Sequence, residues 1–512
     1  MSDSHERWVS GGTLIDAAPP DTRTTSGEEK IIPPEHPYRT LVLCFDGTGD
    51  QFDSDNSNIV ELFSMLKKDD CSKQMVYYQA GIGTYTTPQI ATPLGARISK
   101  AIDEAVAWNL DAHVMGGYEF LMQNYTIGDR ICIFGFSRGA YTARSLAGMI
   151  HKVGILPACN HQQVPFAYKM YTQADEVGWK QSNAFKKAFS IDADIEFVGV
   201  WDTVNSVGLI PKRLPFTTSN TNVRTFRHAV SLDERRAKFK ANLWNRPNEA
   251  EAKLGLAQKG NTNSGSGSTT TKSQPHLQKP HSIWALEQQY SKDRTLPTDI
   301  EEVWFAGCHC DVGGGSVSND TKPNLARIPL RWMIRECFKT NTGIMFYADM
   351  LEEIMGVDPA VLYPAVLPRP PALKISEEQG HYIRSISDDA AKSKGSPESL
   401  DEGTVTTTGQ RATEEELELM DSLSPIYDQL SLKWFWWILE FFPITMRYQS
   451  GDSSWVSYLG WNLGRGIIIP RQETEGVKVH RSVKLRMEAK SRDGQRYVPK
   501  ASFDERYTTW VD

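Results

Sequence analysis

Arg130-Ile131-Cys132-Ile133-Phe134-Gly135-Phe136-Ser137-Arg138-Gly139-Ala140 decides the fold of this chain. After the turn Gly128-Asp129, Ile131 to Phe134 form a short apolar run that reads as a buried strand. Ala140 to Ile150 reads as a helix, and Ala140, Ala143, Ala147 and Gly148 let it lie close to a sheet. Between them stands Gly-x-Ser-x-Gly. A serine projecting from a sharp strand-to-helix turn needs neighbours without bulk two residues to either side, and Gly135 and Gly139 supply that. The helix N-terminus behind the serine aims N–H groups at a developing oxyanion. Ser137 is therefore the candidate nucleophile. A structural turn is the competing reading, because the five-residue pattern alone is common. Ser145, about two helical turns further on, is a weaker candidate.

The same alternation extends in both directions. Thr40 to Phe45 is an apolar strand ending in Asp46-Gly47-Thr48-Gly49, and Ile59, Leu62, Phe63 and Leu66 then keep helical spacing. Met75 to Tyr78 is a second strand, running into Gly81-Ile82-Gly83-Thr84. Ile98, Ile102, Ala105, Val106, Leu110, Val114, Tyr118 and Leu121 mark a long helix. Glu196 to Trp201 and Glu302 to Ala306 are further strands. Unbroken apolar strands alternating with helices imply an α/β fold, a mostly parallel sheet with helices on both faces. Ligands in such sheets sit at the carboxyl ends of the strands, where these Gly- and Asp-rich turns fall.

Composition agrees with a globular chain: of 512 residues, 40% are hydrophobic and 23% charged. The net charge of −7 and the lack of a basic block exclude a nucleic-acid partner. Seven scattered cysteines do not make a disulfide scaffold, so a reducing, cytoplasmic location is expected. No apolar run reaches the length of a membrane span. Residues 1–36 are polar, carry no secretory h-region and read as a disordered tail. Residues 37–340 read as the catalytic domain, with a low-complexity insertion at 245–281. Residues 341–512 read as a C-terminal extension in which 384–421 are disordered, being rich in Ser, Asp, Glu, Thr and Gly.

A nucleophilic serine needs a base, and the base an orienting carboxylate. Asp202, in Trp201-Asp202-Thr203-Val204, follows a strand at the active edge; a helix-capping or turn aspartate is the competing reading. His309, in Gly307-Cys308-His309-Cys310-Asp311-Val312-Gly313-Gly314-Gly315, lies just beyond the last of these strands and is the preferred base. His480, after Val477-Lys478-Val479, is the alternative base, and Asp311 an alternative orienter. Cys308 and Cys310 flank His309, but no second Cys/His pair has zinc spacing, so no metal is expected. Asp46-Gly47-Thr48 also has the sequence shape of the haloacid-dehalogenase phosphatases. Their nucleophilic aspartate would stand at position 44, which is Cys44 here, so that reading fails. In a serine hydrolase this early loop supplies an oxyanion N–H, from Gly47 or Thr48, with Arg138 giving the second. Asp50, Asp53 and Asp55 lack the central glycine and terminal glutamate of a calcium loop.

Taken together, Phe45-Asp46-Gly47-Thr48-Gly49 with Ser57-Asn58, the Gly81 turn, Gly135 to Arg144, Trp201 to Val204 and Gly307 to Gly315 resemble one family. It is the α/β-hydrolase family of the type VI secretion phospholipase effectors, a Tle-type catalytic domain that also occurs in uncharacterised fungal and bacterial proteins. The resemblance spans roughly Tyr38 to Phe338. It implies a serine esterase of the lipase or phospholipase type, acting in lipid metabolism on glycerophospholipid esters without cofactor. Its triad carries over onto Ser137, Asp202 and His309. A soluble carboxylesterase or thioesterase is the alternative within the enzyme class. A non-catalytic hydrolase-fold protein that binds membranes or proteins is the alternative outside it.

One segment stands apart. Trp434-Phe435-Trp436-Trp437-Ile438-Leu439-Glu440-Phe441-Phe442 reads as an aromatic helix over 431–446. A buried helix is the first reading; a lid or a peripheral membrane contact through Trp434–Phe442 is the other, since tryptophan favours the membrane–water boundary. Arg138 and Arg144 are read first as partners in structural ion pairs and second as contacts for a phosphate head group.

Overall fold

The computed structural model describes residues 30–81, 110–204, 214–245, 286–287, 297–388 and 412–512 apart from 452. Eight strands form one sheet: β1 Thr40–Phe45, β2 Gln74–Gln79, β3 Arg130–Phe136, β4 Ile195–Trp201, β5 Val223–Ser231, β6 Asp299–Phe305, β7 Val477–His480 and β8 Thr508–Val511. Their order is β8-β7-β6-β5-β4-β3-β1-β2, and every neighbouring pair is parallel. β3, which leads to Ser137, lies inside the sheet between β1 and β4.

Alternate side chains of the strands feed two cores. Leu41, Leu43, Ile131 and Ile133 face one side, where α2 (Leu110–Asn124), α3 (Ser137–Val153), α4 (Val164–Thr172) and α5 (Glu176–Phe189) cover them. Val42, Cys44, Cys132 and Phe134 face the other, under α1 (Asn58–Met65) and α7 (Arg327–Lys339). Each such buried side chain contributes about 1.5–3 kcal/mol through the apolar area it withdraws from water. Both faces being dry explains why the strands read as unbroken apolar runs rather than as alternating ones.

The structure extends the sheet beyond the strands evident in the sequence. β5 is hidden there because Arg224, Arg227 and His228 interrupt its pattern. Arg227 is buried but paired, with Glu336 at 2.6 Å and Asp299 at 2.7 Å. Residues 477–511 add the two outer strands, so the C-terminal region completes the same sheet that the 37–340 region begins.

Three expectations change. The expected disorder of 384–421 is overturned at its C-terminal end, where α8, Glu414–Ser422, starts from a Thr413–Glu416 capping box. The acidic residues that suggested disorder are paired: Asp421 with Arg331 at 2.5 Å, Glu414 with Arg335, and Glu418 with Arg369 and Arg481. Residues 389–411, 1–29 and most of the expected 245–281 insertion lie outside the described residues, as do Ile82-Gly83-Thr84 and the first half of the long helix. The expected tail to residue 36 is ordered at its end, where Ile31 and Ile32 pair with Tyr347 and Phe346. The expected helix over 431–446 shortens to α9, Trp436–Glu440, followed by an antiparallel hairpin of Ile444–Gln449 and Trp455–Gly460. Nor is it a buried helix: Trp434, Ile438, Phe441 and Phe442 are exposed. Among the described residues no helix is long and apolar enough to cross a membrane.

Candidate active site

β3 passes directly into α3, and Ser137 takes a backbone φ of +59° at the junction. This left-handed conformation costs a non-glycine residue about 1–3 kcal/mol and persists only where the surroundings hold it. They do so by close approach. A Cβ at Gly135 would strike the Gly139 carbonyl and the Ala140 backbone; one at Gly139 would strike the carbonyls of Phe45 and Asp46. The two glycines therefore let the turn press against the end of β1.

Asp202 follows β4, also at a positive φ, +38°. Its side chain is fully buried. Oδ1 accepts the amide and the hydroxyl of Ser231, at 2.9 and 3.0 Å. Oδ2 stands 2.6 Å from His309 Nδ1. His309 opens a short helix, α6 (His309–Gly313), after β6, and its Nε2 is 2.7 Å from Ser137 Oγ. With the imidazole proton on Nδ1 and donated in a hydrogen bond to Asp202 Oδ2, Nε2 is left to accept the Ser137 hydroxyl. Three carboxyl ends of the sheet, β3, β4 and β6, thus converge on one hydrogen-bonded chain.

The family described as "T6SS, Phospholipase effector Tle1-like, catalytic domain" matches residues 39–336, more than half of the sequence. The chain belongs to the Tle1-like family. A relative in Saccharomyces cerevisiae, the uncharacterized protein YEL023C, is 27% identical, the alignment covering 90% of this chain and 81% of that protein. Two solved structures are distant likenesses. One is an uncharacterized protein from Pseudomonas aeruginosa, 15% identical with a TM-score of 0.34, covering 82% of this chain and 70% of that one. The other is the Tle1 effector bound to the VgrG spike of the type 6 secretion system, 16% identical with a TM-score of 0.25, covering 55% and 52%.

In this Tle1-like chain the loop after β1 is fastened to the serine turn. Arg138 Nη1 donates to Thr48 Oγ1 at 2.9 Å. Of the amides expected at the oxyanion, that of Gly47 donates to Asp46 Oδ1 at 2.8 Å. Asp46 also accepts Ser57 Oγ and Tyr78 Oη, at 2.6 and 2.7 Å, so the Gly47 amide takes part in the loop's internal bonding. Phe136, which carries no chemistry of its own, is the hub of the site. Gly47 and Gly313 pack against its ring, and the His309 imidazole lies 4.8 Å from it. Glycines on two distant loops facing one aromatic are its only sequence trace.

A second ring of buried groups holds the chain in place. Glu234 accepts the His309 amide at 3.3 Å and pairs with Arg236 at 2.8 Å. Burial opposes its ionisation, but Arg236 outweighs that and holds the carboxyl below its ordinary value. Behind Asp202, the Thr203 amide donates to His228 Nε2 at 3.1 Å, and His228 Nδ1 faces Glu302 at 2.9 Å. Neither was legible from the sequence, since both lie on or beside the unrecognised β5.

The alternatives in the sequence fall elsewhere. His480 is buried at the end of β7, stacked on Phe305 at 5.0 Å, with Nδ1 2.8 Å from Ser482 Oγ. It is not brought to Ser137. Asp311 accepts the amides of Cys308 and Tyr427 and the Ser316 hydroxyl, so it braces α6 instead of orienting the imidazole; burial pushes it up to about 7. Arg144, expected in an ion pair or at a phosphate, donates to the carbonyls of Thr217 and Asn242. Among the described residues no group of three or more His, Cys, Asp or Glu is placed to hold a metal ion.

Proposed function

We propose that this protein is a serine hydrolase that cleaves acyl esters of glycerophospholipids. Ser137 is the nucleophile, His309 the general base and Asp202 the residue that orients it. The observation carrying this reading is the continuous chain of 2.7 and 2.6 Å contacts from Ser137 through His309 to Asp202. His309 removes the Ser137 proton as Oγ attacks the acyl carbon, and Asp202 steadies the imidazolium that forms. The tetrahedral oxyanion is met by the amides of Thr48 and Arg138, at the positive end of α3. His309 returns the proton to the leaving alcohol, and water then frees the acid by the same route. The phospholipid substrate rests on membership of a family described as phospholipase effectors. Peripheral contact with a membrane through Trp434–Phe442 belongs to the same reading.

The test compares wild type with Ser137→Ala on a soluble short-chain acyl ester and on phospholipid vesicles. Loss of both activities is the expected result. Equal rates on the soluble ester overturn the assignment of Ser137. A wild type that turns over only thioesters or short esters overturns the phospholipid substrate.

A further inference from the structure

Eleven of the twenty-one large hydrophobic residues that stand exposed among the described residues fall between Leu432 and Ile468. Exposed apolar residues are ordinary singly, but a concentrated patch marks a contact surface. The patch is wider than the aromatic run of the sequence. It includes Leu459 of the hairpin, 71% exposed, and Trp461 just beyond it, 56% exposed. One buried carboxylate ties these pieces together: Glu440 of α9 accepts the Ala237 amide at 2.6 Å, Asn462 Nδ2 at 2.5 Å and the Gly464 amide at 2.9 Å. The patch therefore sits on an anchored scaffold.

Its inner side reaches the candidate active site. Trp436 of α9 meets the Phe239 ring edge-on at 5.5 Å, and Phe239 meets the His309 imidazole at 4.9 Å. Arg236 lies over both Phe239 and Trp436. Its composition is that of a membrane–water boundary: Trp434 and Trp461 stand exposed, with Trp436, Trp437 and Trp455 half-buried behind them. The charge is also suited. The chain as a whole carries −7, yet this face carries the exposed Lys433 and Arg465, and Glu440 of α9 is buried. Lys240, on the adjoining turn, donates to the Arg465 carbonyl at 2.8 Å and adds to this basic rim.

We infer that the face built from α9, the hairpin end and the loop Trp461–Leu463 seats the protein on an anionic phospholipid bilayer, on the side from which Trp436 and Phe239 approach His309. The aromatic and aliphatic side chains enter the boundary region and the basic rim meets lipid phosphates. This orientation delivers a lipid ester to the site from the bilayer itself. It rests on the hydrolase reading of Ser137 for its purpose, but not for its measurement.

Co-sedimentation tests it with vesicles of phosphatidylcholine and phosphatidylserine, and with phosphatidylcholine alone. Wild type and Ser137→Ala are expected to bind the anionic vesicles equally, and more strongly than the neutral ones. Leu459→Ser with Trp461→Ser is expected to lose about tenfold in partitioning per residue removed, while hydrolysis of a soluble ester stays unchanged. Unchanged sedimentation of the double variant overturns the surface. Equal binding to both vesicle types overturns its anionic preference. If the double variant binds vesicles as wild type does but turns a dimer into a monomer by sedimentation velocity, the face joins two copies of the chain instead. Should Ser137→Ala keep full esterase activity, the hydrolase reading fails while the sedimentation result stands.

Discussion

Two histidines lie at the carboxyl ends of neighbouring strands, and their surroundings divide their roles. His309, beyond β6, has a serine on one nitrogen and a buried aspartate on the other. His480, closing β7, has Ser482 beside Nδ1 and Glu418 3.7 Å from Nε2. Both are buried, and both pack on a phenylalanine. The difference lies in the surrounding charge. Burial pushes His480 down to about 3; Glu418 opposes this, while Arg369, Arg481 and Arg331 add to it. Glu418 itself, despite burial, is held at about 2 by the cations around it. His480 thus belongs to an ionic knot joining α8 to the end of the sheet. A histidine, a carboxylate and a small hydroxyl are not enough for hydrolytic chemistry; the hydroxyl must be on a turn that presents it to a substrate.

That contrast can be broken most sharply by exchanging the two imidazoles for alanine. His309→Ala is expected to lower ester hydrolysis by about 10^5-fold, as loss of a triad base does, while His480→Ala leaves the rate per folded molecule within about threefold. Comparable losses in both would erase the distinction. Asp202→Asn comes next. It keeps the shape but turns an acceptor toward a donor, and a fall in kcat of about 10^4-fold is expected with little change in KM. On the other side of the comparison, Glu418→Gln removes the nearest counter-charge of Arg369 and Arg481 and leaves them only the longer contacts to Glu414 and Glu415. It should cost about 3–5 kcal/mol in urea unfolding, with hydrolysis by the folded fraction retained.

The same ionic knot also carries a pH dependence. His480 titrates at about 3 in the fold against an ordinary value of 6.5. Between those values the unfolded chain binds a proton that the folded chain does not, so stability falls as the pH drops from 6.5 toward 3. Glu418, held near 2, loses its contribution over the lower part of the same descent. Unfolding of His480→Gln, followed by urea titration at several pH values, should show a shallower acid slope than wild type. An unchanged slope would remove the imidazole from the account.

Legibility differed by the range of the physics involved. The serine turn could be read because its demands are local: an apolar strand, two residues without bulk and a helix of small residues stand within twenty-one positions, Arg130 to Ile150. Asp202 and His309 were readable as ends of apolar strands. β5 was not, because Arg227 and His228 are made acceptable in a central strand only by Glu336, Asp299 and Glu302, far away in the chain. The same holds for α8, whose acidic residues resemble disorder until their arginines are in place.

By itself, then, the sequence determined the α/β class, the candidate nucleophile and the strands that carry its partners, since backbone sterics and burial periodicity act between near neighbours. Only the tertiary structure decided which histidine meets Ser137, that the Gly47 amide is turned inward to Asp46, and that Trp434 stands exposed while Trp436 packs through Phe239 toward His309. Each of those depends on which distant group fills a particular volume or balances a particular charge. Such pairings exist only once the sheet has brought the loops together.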